Sequence, residues 1–143
     1  MDEDARWTVA LESDPGPELR AGIVAALRAA NEAAAGPGGN RLLAVGVRDA
    51  SGAAVGGLWG EIKRGFLFVE LLALGPARSR GLGRQVMALA EAEARRRGLD
   101  GMWLHTWTFQ APGFYEKLGF TECGRIPGYP RDHDCIFYVK RFI

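Results

Sequence analysis

Apolar residues recur along this chain with two periods, and each change of period marks a new element. Trp7 to Leu11 alternates and predicts a short first strand. From Glu18 to Ala35 the period lengthens: Leu19, Ile23, Leu27 and Ala30 fall on one helical face, in Ala-rich sequence that favours helix. Gly36-Pro-Gly-Gly-Asn40 stops that helix. Strand patterns follow over Arg41 to Asp49, Ala53 to Lys63 and Phe66 to Leu74, separated by the turns Asp49-Ala-Ser-Gly52 and Lys63-Arg-Gly65. From Gly81 to Arg97 the helical period returns, with Leu82, Val86, Leu89, Ala90 and Ala94 on one face and Gly98 at the end. Met102 to Thr106 predicts a fifth strand, Pro112 to Leu118 a short helix closed by Gly119, and Phe120 to Arg125 a sixth strand. A loop with Gly128, Pro130 and Asp132 leads to the last strand, Cys135 to Phe142. This order predicts an α+β fold around one mixed sheet of about seven strands flanked by helices. A βαβ crossover would join the strand at Phe66 to the strand at Met102. No repeat or linker interrupts the pattern, so residues 1–143 read as a single domain.

Composition narrows the classes. Apolar residues make up 48% of the chain and charged residues 24%, enough to bury a core. Eighteen basic and 17 acidic side chains leave a net charge of +1, which argues against nucleic acid or a membrane surface as partner. The longest apolar run, Phe66 to Leu74, is broken by Glu70 and is far short of the ~20 residues that span a bilayer. The acidic start Met1-Asp-Glu-Asp is the reverse of a signal peptide, and Cys123 and Cys135 read as free thiols, so a cytoplasmic location is expected. With His105 and His133 the only histidines, no metal-ligand cluster is evident.

The most informative stretch is Arg78-Ser-Arg-Gly-Leu-Gly-Arg84, between an apolar strand and an amphipathic helix. Gly81 and Gly83 allow a tight turn with accessible N–H groups, and the helix N-terminus adds unpaired donors and the positive end of its dipole. Such a turn suits phosphate, and Arg78, Arg80 and Arg84 add forked, fixed charge. A plain strand-to-helix turn with solvated arginines is the alternative. The P-loop string G-x-x-x-x-G-K-[ST] is absent, and the dinucleotide fingerprint fails because position 86 is Val86.

R-x-x-G-x-G at Arg78 to Gly83 resembles the acyl-CoA signature of the GNAT superfamily of N-acetyltransferases. A second block, Phe109-Gln-Ala-Pro-Gly-Phe-Tyr-Glu-Lys-Leu-Gly-Phe120, is similar to that family's later helix, which ends in F-Y-E-K-x-G-F. Both blocks sit in the family's order, and the element order matches over nearly the whole chain. Ser79 stands where many members carry Gly, and Thr108 where many carry Asn.

The resemblance implies acetyl-CoA as donor, without a metal. Its phosphates would rest on the N–H groups of Arg80, Gly81, Leu82, Gly83 and Arg84. Its pantetheine would lie beside Leu72, Ala73 and Leu74, where two strands splay apart, with a backbone N–H near Leu72 for the oxyanion. Thr108 or, in its place, Gln110 would contact the cofactor arm. Tyr115 matches the family's general acid for the leaving thiolate, although its spacing also suits a core aromatic. Glu70 would be costly to bury alone, and partial burial would raise its pKa toward that of a general base, the role the resemblance implies. An edge carboxylate that meets solvent or an arginine is the alternative. His105 reads as a second base or substrate contact, or as a half-buried structural histidine. Trp59 and Tyr129 would wall the acceptor site, with Asp132 and Asp134 near its mouth. These expectations describe an enzyme that acetylates a primary amine of a small molecule. The rival is a non-catalytic acyl-CoA-binding module on the same fold. A homodimer is left open.

Overall fold

The computed structural model describes residues 6–75 and 81–143. They group into two compact units, one up to Gly38 and one from Gly39 to Ile143.

The first unit holds helix α1, Pro17–Ala35. Proline in the first turn needs no N–H donor there, and Glu18 complements the dipole. Gly36 ends the helix with φ 76°, its N–H donating to the Glu32 carbonyl at 2.8 Å. Residues 7–11, expected as a strand, form none. Alternation gives a segment two faces but supplies no partner ladder, and a strand exists only when paired.

The second unit is a six-stranded sheet with two helices: β1 Arg41–Arg48, β2 Ala54–Lys63, β3 Phe66–Ala73, α2 Leu82–Arg96, β4 Gly101–Trp107, α3 Pro112–Lys117, β5 Thr121–Pro127 and β6 Asp134–Arg141. The strand order is β1-β2-β3-β4-β6-β5. Without the strand at Trp7 the count is six rather than seven. Every neighbour pair is antiparallel except β3–β4, which α2 joins as the expected crossover.

Local chemistry sets the turns. Asp49 accepts N–H bonds from Ser51 at 2.9 Å and Ala53 at 3.1 Å and the Ser51 hydroxyl at 2.6 Å, closing the β1–β2 hairpin. At the β2–β3 hairpin Arg64 and Gly65 both have positive φ, 50° and 85°, the twist a two-residue turn needs.

One sheet face makes the core. Leu43, Leu58, Ile62, Leu67, Met102, Leu104, Ile136 and Tyr138 are buried there with Val86, Met87, Ala90 and Ala94 of α2. Ala90 and Ala94 have no exposed surface, and such small side chains let a helix approach a sheet closely. Leu89, expected on the buried face, is exposed, and Met87 fills its place because the stripe runs 86, 87, 90, 94. Arg95, Arg96 and Arg97 close α2 on Glu91 and Glu93, a charged terminus that suits the dipole.

Lys140 of β6 locks α2 and the end of α3 to the sheet. Its ammonium donates to Glu91 at 2.6 Å and to the Leu118 carbonyl at 2.7 Å. Burial alone would raise the Glu91 pKa, but the hydrogen bonds from Lys140 and Arg95 outweigh it and hold the carboxyl below its ordinary 4.5. A depressed carboxyl stabilises the fold above its unfolded value and loses that stabilisation as pH falls through its folded value. Lys140→Ala should therefore cost about 1–3 kcal/mol near neutral pH. In denaturant titrations the gap to wild type should narrow below about pH 4. A gap that stays constant down to pH 3 would contradict this account.

Candidate active site

The site begins where a ladder ends. β3 and β4 pair only through Phe66–Gly101, Leu67–Met102 and Phe68–Trp103. Beyond that, β3 continues to Ala73 and β4 to Trp107, the latter bonded to β6 along its full length. The two strands part as expected and open a cavity of about 700 Å³. Leu72, Ala73 and Leu74 line its β3 side, Thr106 its β4 side and Gly83 its α2 side. Phe109, Gln110, Ala111, Phe114 and Tyr115 complete it from the turn and α3.

The α2 end fits an anionic group. Gly81 is the N-cap, left-handed at φ 71°, and no side chain among the described residues caps the helix. A Cβ built on Gly81 would meet nothing within 4 Å among the described residues, so the turn is open on that side. At Gly83 a Cβ would stand 3.3 Å from the Phe114 ring, so a side chain there would press on the cavity wall. The first turn of α2, whose N–H groups lack intrahelical partners, meets the cavity at Gly83, an arrangement suited to the phosphates of CoA. Leu82 packs on the core, and Arg84 is exposed beside a second cavity of about 350 Å³ with Glu91 and Lys140. Arg78, Ser79 and Arg80 lie outside the described residues.

Gln110 and Thr108 divide the roles that the sequence left between them. The Gln110 side-chain carbonyl accepts the Thr106 hydroxyl at 2.7 Å and the Trp107 N–H at 3.2 Å. It closes the β4–α3 turn and leaves its amide donors beside the cavity. Thr108 does not line the cavity. Its hydroxyl accepts the Asp134 N–H at 3.0 Å and meets His133 Nδ1 at 3.2 Å, tying β4 to the β5–β6 loop.

Tyr115 is both core and cavity residue. Its ring packs against Phe114, Phe120 and Tyr138 with centroids at 5.1, 5.9 and 6.1 Å. Burial pushes its phenol above the ordinary 10.0, so it stays protonated through neutral pH.

Glu70 is exposed rather than partly buried. The register shifts there: Val69 faces Gly60 and Leu71 faces Trp59, leaving Glu70 as the extra residue of a bulge. Val69 and Leu72 both pack on the core, so Glu70 and Leu71 between them fall outside it. Trp59, opposite Leu71, is exposed too.

His105 lies between the buried neighbours Leu104 and Thr106 and so projects from the opposite sheet face, away from the cavity. It contacts Phe68, Trp107 and Phe137, and its Nδ1 is 3.9 Å from the Cys135 thiol. It therefore stands beside Trp107 rather than in the cavity wall. The Tyr129 ring lies tilted beside Trp107, with centroids 6.0 Å apart. Asp134 is committed to Arg125 at 2.8 Å and to the Gly128 N–H at 3.2 Å, and the Arg125 hydrogen bond holds its carboxyl below the usual range. It caps a loop rather than awaiting a cation.

Sequence reasoning missed Thr106, Phe109, Ala111 and Phe114 in the cavity wall. Three of them lie in or beside the block Phe109 to Phe120, where only Gln110 and Tyr115 were singled out. Among the described residues no group of acidic, His or Cys side chains could hold a metal, both cysteines are free, and no helix is long and apolar enough to cross a membrane.

Residues 34–120 match the family model of the acetyltransferase (GNAT) family. The blasticidin-S acetyltransferase of Streptomyces morookaense is 44% identical over 81 residues, which is 55% of this chain and 60% of that protein. An acetyltransferase of Agrobacterium fabrum is 35% identical over 117 residues, 81% of this chain and 85% of the relative. The crystal structure of an acetyltransferase from Agrobacterium tumefaciens superposes with a TM-score of 0.89 at 31% identity, covering 95% of this chain and all of that one. The splayed sheet, the open helix N-terminus and these matches agree: the chain belongs to the GNAT family of acetyl-CoA-dependent acetyltransferases.

Proposed function

We propose that this chain transfers the acetyl group of acetyl-CoA to a primary amine of a small molecule. The observation that carries the reading is the position of Tyr115, a half-buried phenol in the wall of the cavity between β3 and β4. The name of the Streptomyces morookaense relative gives a small molecule as its acceptor, which supports the acceptor class.

In this reading the phosphates of acetyl-CoA bind the first turn of α2, and the pantetheine runs along Leu72 to Leu74. The amine nitrogen attacks the thioester carbonyl, the carbon–sulfur bond breaks, and Tyr115 delivers its proton to the departing thiolate. A thiol leaves as a poorer nucleophile than a thiolate, so protonation makes the transfer one-way. The proton of the amine goes to Glu70 through water, because Glu70 sits exposed on the bulge rather than in the cavity wall. A binding module on the same fold would need neither carboxylate nor phenol.

Tyr115→Phe removes one hydroxyl and little volume. Its turnover should fall roughly 10²- to 10⁴-fold while acetyl-CoA binding stays close to wild type. Steady-state turnover within a few-fold of wild type would reduce Tyr115 to a packing residue. Since the phenol titrates above 10.0, wild-type turnover should show no loss of an acid between pH 8 and about 9.5, and should decline only as pH rises further.

The anion site has a test that spares the backbone. Asn and Asp tolerate the left-handed region, and the space around Gly81 is open. Gly81→Asp and Gly81→Asn should both fold, yet the carboxylate should weaken acetyl-CoA binding at least about tenfold relative to the amide. Equal affinities by calorimetry would move the phosphates elsewhere.

A further inference from the structure

We infer that the acceptor carries a flat aromatic ring, held by Trp107 and Tyr129 on the sheet face opposite the core. The inference rests on the small-molecule acetyltransferase reading above and adds the chemistry of the acceptor to it.

Four rings of the Gly39–Ile143 unit form a row. Phe109 stacks on Trp107, with centroids 6.0 Å apart and planes 19° apart, and Tyr129 meets Trp107 at 6.0 Å and 32°. His133 closes edge-on to Phe109 at 5.0 Å. Phe109 and Tyr129 keep 54% and 52% of their surface exposed, so these faces are open rather than core.

The row joins the cavity. Phe109 lines the cavity wall and stacks on Trp107 in the same pose. A ring resting on Trp107 and Tyr129 therefore lies next to the place where the strands part, and a short arm from it could bring an amine to the thioester. Half-exposed aromatic faces cost free energy in water and bind flat rings through offset stacking.

Trp107 carries a second sign of use. Its indole N–H is buried and has no hydrogen-bond partner among the described residues. An unpaired buried donor is a cost that phenylalanine or leucine at this position would avoid. Trp107 is partly exposed, so indole at this position leaves part of its surface to a ligand. Tyr129 sits on a loop braced at its base by Arg125 and by the Tyr129 N–H to the His133 carbonyl at 2.9 Å, so the row is preorganised.

The test compares two probes that share an amine and an amide and differ only in the ring: 4-(aminomethyl)benzamide and trans-4-(aminomethyl)cyclohexanecarboxamide. Calorimetry on the CoA-saturated protein should show the benzamide binding about five-fold or more tighter. The same preference should appear in kcat/KM. Tyr129→Leu, at a half-exposed position, should remove most of the preference while CoA affinity stays at the wild-type value; Trp107→Leu should abolish it. Equal binding of the two probes, failure of the benzamide to bind, or an undiminished preference in Tyr129→Leu overturns the inference. If acetyl-CoA binds and amines are acetylated without ring preference, only the aromatic site fails. If acetyl-CoA is bound but no amine in a broad panel is acetylated, the enzymatic reading fails with it.

Discussion

A parallel ladder three residue pairs long governs this protein. β3 and β4 are bonded only as far as Phe68 and Trp103, and the cavity between them lies past that point. The early end has a cause on each side. β4 is already bonded to β6 through Trp107, so its course follows that partner. β3 bends at the Glu70 bulge in its pairing with β2, and a bulge adds twist. Two strands steered by different neighbours diverge, and the gap between them is the cavity of about 700 Å³.

Because the gap lies within a sheet, it has two sides, and strand alternation gives them different chemistry. Thr106 and Trp107 are adjacent in sequence, yet Thr106 faces the cavity wall and Trp107 the aromatic row. Tyr115 and Gly83 come from helices on the core side, and Tyr129 comes from the hairpin loop. On the proposed reading, the division separates the phenol that protonates the thiolate from the surface that holds the acceptor. One short segment, residues 106–110, serves both, through Thr106 and Gln110 on one side and Trp107 on the other.

Much of this could be read from the chain. The switch from period two to 3.6 located both long helices, and six strands fell within about two residues of expectation. The two glycines and the F-Y-E-K block led to the cavity, with Leu72, Ala73, Leu74, Gly83, Gln110 and Tyr115 in its wall. What eluded sequence reasoning shares one property: it depends on partners. Residues 7–11 alternate but have no ladder. For Glu70 the chain left partial burial and a solvent-facing edge carboxylate both open, because a bulge is a matter of register and leaves no local mark. Asp134 and Thr108 have polar atoms suited to a ligand, yet Arg125, His133 and backbone groups far along the chain occupy them.

Arg125 braces the β5–β6 hairpin at its base, with Glu122 at 2.7 Å and Asp134 at 2.8 Å, while residues 128–133 project beyond it. Part of the loop's anchorage thus lies outside it, while His133 within it also meets Thr108. Replacements at the exposed Tyr129 alter what the protein meets while the Arg125 ion pairs at the base stay in place. Such a loop can be exchanged as a cassette. On the proposed reading, a few tip substitutions change acceptor preference while the cleft between β3 and β4 stays the same.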